Sequence, residues 1–215
     1  MPRVSDEHLE RRRQQILDAA RVCFVRKGFH QTSMQDVFTE SGLSAGAVYR
    51  YFKSKDDLVM ALATTAAGDV RARMLEFIEH DPLPTPAELI AHMTDWIYTQ
   101  SGPEGRIRLA PQAWSLALTD AQAAIPVRNT MTGIRAMWRE YAVRMHDAGW
   151  LPADSDLDAV AAALFGLLPG FVLQHLLMGD LDSDQYIRGV DTLFPYGDRR
   201  YPAPSPAETA DAAPA

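Results

Sequence analysis

A chain of 215 residues, 47% hydrophobic, suits one globular unit or a small module joined to a larger one, and it can bury a sizeable core. The net charge of −7 argues against a polyanion partner for the chain as a whole, but it is unevenly divided. Residues 1–55 hold ten Lys/Arg against six Asp/Glu, +4, and the remainder holds eleven against 22, −11, so the N-terminal part is the candidate for such a partner. The single cysteine, Cys23, excludes an intramolecular disulfide framework, and its place on an apolar helix face predicts a buried, inert thiol. Residues 1–15 are charged and carry no apolar signal-peptide core, which predicts a cytoplasmic protein. The longest uncharged apolar stretch, Ala159 to Leu173, is too short for a bilayer and is interrupted by Pro169-Gly170. It predicts a buried or interface helix and no membrane partner.

In chain order, Ile16, Leu17, Ala20, Cys23 and Phe24 repeat with helical period and predict a first helix over Asp6–Lys27, ended by Gly28. Thr32 and Ser33 are both candidate N-caps, each with a partner three residues on (Gln35, Asp36), for a second helix over Met34–Ser41. Gly42-Leu43-Ser44 is a turn, with Ser44 able to cap a short third helix over Ala45–Phe52. Ser54 and Asp57 have the capping-box spacing and open a long fourth helix, Lys55 to about Glu79. Pro86 marks the start of a fifth, to about Gln100. Short helices follow at Arg106–Ala110 and Pro111–Thr119, then a long one at Ala121–Ala148 stopped by Gly149. An apolar helix at Asp156–Met178 and a last one at Asp184–Leu193 complete the pattern. Tyr201–Ala215, made of Pro, Ala, Ser and acids, predicts a disordered tail. The expected fold class is all-α.

Two short helices joined by a three-residue Gly-containing turn form a helix-turn-helix unit. On the third helix, 100° per residue puts Ala45, Val48 and Phe52 on one face, able to pack on the first two helices. Gly46, Ala47 and Arg50 lie opposite, flanked by Tyr49 and Tyr51. Gly and Ala are poor choices for a solvated face but suit one that a major groove must approach closely, where an Ala methyl meets thymine and Arg pairs with guanine. Lys55 stands in the first turn of a helix, where the macrodipole disfavours a cation unless a phosphate is near.

Residues Gly28 to Leu58, GFHQTSMQDVFTESGLSAGAVYRYFKSKDDL, resemble the N-terminal signature of the TetR family of transcriptional regulators. The agreement runs through Gly-aromatic, Thr-Ser, Ser-Gly-Leu-Ser, x-Gly-x-Val-Tyr-x-Tyr-Phe and Lys-Ser-Lys-x-x-Leu, and it covers about the first 60 residues without a gap. Phe38 and Ser41 depart from it, since the family usually has Ala at both. The resemblance implies a three-helix DNA-binding domain over residues 1–55 and a helical ligand-binding and dimerisation domain over 56–200, working as a homodimer on operator DNA. It implies that Thr32, Ser33 and Lys55 hold phosphates, that Ser44 and Tyr49 contact the DNA backbone, and that Ala45, Ala47, Arg50 and Tyr51, with Gly46 beside them, face base edges. Phosphate contacts position such a module and base contacts specify its sequence.

The C-terminal part carries no signature of its own. A pocket for a small hydrophobic effector would draw on Met93, Trp96, Ile97, Trp114, Met131 and Trp138, with Ile134 beside them and His92, Tyr98, Arg108 or Gln112 as polar anchors; each of these is otherwise a core residue. Leu164, Phe165, Leu168, Phe171, Val172 and His175 form a stripe that serves either a dimer interface or the chain's own core. Glu88 and His92 are a lone i, i+4 pair, short of a metal site, and no HExxH, phosphate loop or GxSxG occurs, so no metal, cofactor or enzymatic activity is expected. The competing reading is a helical small-molecule-binding protein with a non-functional helix-turn-helix. The basic N-terminal region and the intact Lys53-Ser54-Lys55 junction count against it. These residues do not separate a repressor from an activator.

Overall fold

The computed structural model describes residues 6–102 and 105–196. The proposed tail at 201–215 lies outside the described residues. Among the described residues every regular element is helical. α1 (Asp6–Gln31) bends at Gly28, whose φ of 76° leaves the helical region, so the straight helix ends where the sequence predicts. α2 (Met34–Ser41) ends at Gly42, with φ 66°. The Gly42 N–H donates to Thr39 O and the Leu43 N–H to Phe38 O, the paired bonds of a Schellman turn. α3 (Ala45–Tyr49) is shorter than expected. Arg50 and Tyr51 form a turn in which the Tyr51 and Phe52 N–H groups both return to Val48 O.

α4 (Lys55–Ile78) is gripped at both ends. At its start the Lys55 ammonium sits 2.7 Å from Phe29 O and 4.3 Å from the centre of the Phe29 ring. At its end Arg144 donates to Ile78 O and, at 3.0 Å, to His80 O, placing a cation on carbonyls the helix leaves unpaired. α5 (Pro86–Thr99) starts with Thr85 and Glu88 in a capping box. After a 3-10 turn at Arg106–Arg108 comes α6 (Leu109–Thr119), so the two short helices expected here are one turn and one helix of different register. α7 (Ala121–Asp147) carries Pro126 in its second turn.

The apolar helix expected at 156–178 is two pieces, α8 (Leu157–Phe165) and α9 (Leu167–Leu177), joined at Gly166. Pro169 has no N–H to give the Phe165 carbonyl, which interrupts the ladder there. Tyr186 of α10 (Ser183–Leu193) donates to Leu167 O at 2.7 Å and pins the junction. The combined 21-residue stretch is long and apolar enough to cross a membrane by length and composition alone. Here Leu164, Leu168, Phe171 and Val172 of that stretch are buried against the rest of the chain.

Two hydrophobic cores result. The smaller joins Ile16, Leu17, Phe24, Val37, Val48 and Phe52 to Leu58 and Leu62 of α4 and to Leu109 and Ala113 of α6. The larger is built around Met74, Ile78, Leu89, Trp138, Tyr141 and Phe171. α4 contributes to both.

Candidate nucleic-acid interface and ligand cavity

The α3 face is built by local rules. Ser44 Oγ accepts the Ala47 N–H at 3.3 Å and starts the helix, and Val48 and Phe52 anchor it, 0% and 5% exposed. Gly46 and Arg50 stand exposed and Ala47 half-buried, as the helical period predicts. Ala45 is exposed and does not join Val48 on the packed side, because it is the first residue of a five-residue helix and lies at its open end. Tyr49 is exposed with its ring edge-on to Phe38 at 5.4 Å, while Tyr51 is half-buried on the small core. Phe38, where the signature usually has Ala, therefore forms a base for Tyr49. Lys53 Nζ donates to Tyr49 O at 2.5 Å, a grip on the end of α3 that the sequence reading missed.

The flanking candidates divide. Ser33 is the N-cap of α2: its backbone N–H and hydroxyl both reach Asp36 Oδ2 at 2.8 Å, and its Oγ accepts the Asp36 N–H. Lys27 bonds the other Asp36 oxygen at 2.6 Å, and with Ser33 it holds that carboxyl well below the usual range. Thr32 is not the cap. It is buried, and its hydroxyl faces inward to Gly28 O (2.8 Å) and Cys23 O (3.1 Å), so its side chain is not presented to a phosphate. Lys55 is half-buried and its ammonium is occupied by the Phe29 and His30 carbonyls rather than held out to solvent. Cys23 is buried, and burial pushes its thiol pKa up, as an inert position requires.

A cavity of about 140 Å³ opens between α4, α5, α6, α7 and the α8–α9 junction. Trp96, Ile97, Trp114, Met131, Ile134 and Trp138 line it, joined by Phe165 and Leu168. Met93 does not: it is fully buried on the core side of α5. None of the four suggested anchors lines it. His92 stacks on Phe77 at 3.9 Å, Tyr98 is exposed beside His175, Arg108 Nε reaches Gly102 O at 3.4 Å, and Gln112 Oε1 accepts the Phe29 N–H at 3.0 Å. Glu88 is spent on the Thr85 N–H, so it does not pair with His92. The polar groups on the wall are Gln100, Thr130 and an ion pair, Asp69 with Arg106 at 3.3 Å. No spacing in the sequence marks Asp69 and Arg106, which come from α4 and a turn 37 residues apart.

Comparison with known proteins matches residues 16–62 to the family described as bacterial regulatory proteins, tetR family. The repressor AcnR of Corynebacterium diphtheriae is 30% identical over 192 residues, 85% of this chain and 90% of that one. The chain belongs to the TetR family. A further relative, the uncharacterised regulator YfiR of Bacillus subtilis, is 39% identical, but the match spans only 37% of this chain and 38% of that protein. The crystal structure of Bacillus subtilis FadR in complex with stearoyl-CoA shares the fold, with TM-score 0.68 at 18% identity over 85% of this chain and 96% of that one. As a TetR-family member the chain is a DNA-binding regulatory protein.

In this TetR-family chain the stripe that serves either a dimer interface or the chain's own core is packed within the single chain. Leu164, Leu168, Phe171 and Val172 are 0–6% exposed within the single chain, and Phe165 borders the cavity. His175 is stacked on Phe171. These residues form core because α5, α7 and α10 already cover them. The uncovered side of the same helices presents Ala162, Ala163, Gly166, Leu173 and Leu177, beside Thr132, Gly133 and Ala136 of α7.

Proposed function

We propose that the chain is a repressor that works as a homodimer on operator DNA and is released by a small hydrophobic effector bound in the α4–α7 cavity. The observation that carries the ligand response is the double use of α6. Leu109, Ala110 and Ala113 form one wall of the cavity. Leu109 and Ala113 are also part of the DNA module's core, and Gln112 on the same helix holds the Phe29 N–H. A molecule that fits one position of α6 better than another shifts α1 and α4 with it, and only such differential affinity moves the equilibrium.

On DNA, Ala45, Gly46, Ala47 and Arg50 face base edges, with Tyr51 at the margin, while Ser33, Ser44 and Tyr49 meet the backbone. Thr32 offers its backbone N–H alone, and Lys55 supplies positive charge from behind Phe29. The dimer forms through the open side of α8 and α9 with α7, and to read successive major grooves its two α3 helices must stand about 34–36 Å apart. A cytoplasmic protein fits this role. The AcnR relative is a repressor, and FadR's complex with stearoyl-CoA supports an apolar effector.

The test is reciprocity. A ligand that weakens operator binding by some factor must itself bind the operator complex more weakly by that same factor. Operator affinity that stays constant while a ligand saturates the cavity refutes the ligand-responsive reading. A monomer at micromolar concentration refutes the paired-groove geometry.

A further inference from the structure

The cavity reading can be taken to a class of molecule, and the inference rests on that reading. Trp138 is 0% exposed, lines the cavity, and its indole N–H has no hydrogen-bond partner. Buried donors in folded proteins are nearly always bonded, so one left orphaned in a residue that borders a cavity calls for an acceptor from outside the chain. Among the described residues the other orphan is His92 Nε2, which lies away from the cavity and is packed on Phe77. An indole N–H donates and cannot accept, so the missing partner is an acceptor atom.

Size and charge narrow the class. A volume of about 140 Å³ is close to that of cavities, about 150 Å³, that take up benzene. Trp96, Trp114 and Phe165 add aromatic walls suited to a ring edge or face. The charged groups at the wall, Asp69 and Arg106, are nearly half exposed and already satisfy each other. An ionised ligand would therefore shed its hydration with no free counter-ion inside. We propose that the cavity takes an uncharged single-ring molecule carrying one oxygen acceptor, which accepts the Trp138 indole N–H.

The experiment is calorimetry of the full-length protein without DNA, using three probes of similar size. Acetophenone carries a neutral acceptor, ethylbenzene none, and benzoate a charged one. The expected result is acetophenone binding at least about tenfold tighter than either of the others. In Trp138→Phe acetophenone should lose its advantage and bind no tighter than ethylbenzene binds the same variant. If that variant fails to fold, NMR of the wild-type protein supplies the second readout: the Trp138 indole proton should move downfield with acetophenone and not with ethylbenzene. Equal binding of acetophenone and ethylbenzene, or no indole shift, overturns the acceptor and leaves the cavity reading standing. Benzoate binding tightest overturns the uncharged class. Failure of all three to bind overturns the cavity reading and this inference together.

Discussion

The two ends of the molecule are held together by different kinds of contact. From α2 to the start of α4 the bonds that set the helix ends span a few residues: Ser33 with Asp36, Gly42 with Thr39, Ser44 with Ala47, Ser54 with Asp57. In the larger half they span tens. Tyr141 reaches Pro84 O across 57 residues at 2.6 Å, and Arg144 reaches the end of α4 across 64 to 66. A reading surface that must keep its register on DNA is assembled from short-range rules, each readable from two or three residues. A chamber that must fit a ligand is assembled from long-range packing, and its shape depends on what every surrounding helix does.

The contrast can be broken by experiment. The largest expected effect is Phe171→Ala, which removes a fully buried ring from the larger core and should cost about 3–5 kcal/mol. Because α4 and α6 belong to both cores or both sites, chemical denaturation should show one shifted transition. Two separate transitions would mean that the halves fold independently. Next is Arg50→Ala, expected to weaken specific operator binding by about 1–3 kcal/mol and to relax one base preference, read by competition against random DNA. Equal loss on both DNAs would remove Arg50 from base reading.

A smaller effect is expected for Gln112→Ala, which frees the Phe29 N–H and should reduce the ligand–operator coupling by about 1 kcal/mol with each single affinity nearly intact. Unchanged coupling would sever α6 from the response. The smallest concerns His92, whose pKa is held below its ordinary 6.5 chiefly by burial, with Arg73 adding to it. A neutral half-buried imidazole contributes full stability above 6.5 and loses it as pH falls below that toward the lowered value. Melting temperature should therefore drop between pH 7 and pH 5.5, and His92→Phe should flatten part of the drop.

Where the sequence was legible, the reason was local. Ser33, Gly42, Ser44 and Ser54 placed four helix ends, because caps and left-handed turns depend on residue type and spacing alone. Val48 and Phe52 were assigned inward by helical period. The period misplaced Ala45, since the face of a five-residue helix is set by the turn that delivers it. In the larger half Trp96, Trp114 and Trp138, large and apolar, do line the cavity, whereas Met93, assigned there by the same criterion, is core. The α8–α9 stripe was apolar enough to serve either a partner or the chain's own core, and hydrophobicity alone could not show that Leu164, Leu168, Phe171 and Val172 are covered within the chain. Gln112 was read as an anchor for a ligand, while its actual partner, a backbone N–H 83 residues away, leaves no trace in spacing.

The two grips on α4 have a mechanical consequence. A helix of 24 residues is about 36 Å long, and the cavity touches its middle, from Leu62 to Val70. With the far end fixed by Arg144 as a pivot, a displacement of about 1 Å at Ala66 becomes about 2 Å at Lys55, because the lever arm there is about twice as long. Two subunits related by a twofold axis would double the change in separation between their reading heads, so in the proposed dimer a small shift at the cavity would be felt as a larger misfit to two grooves.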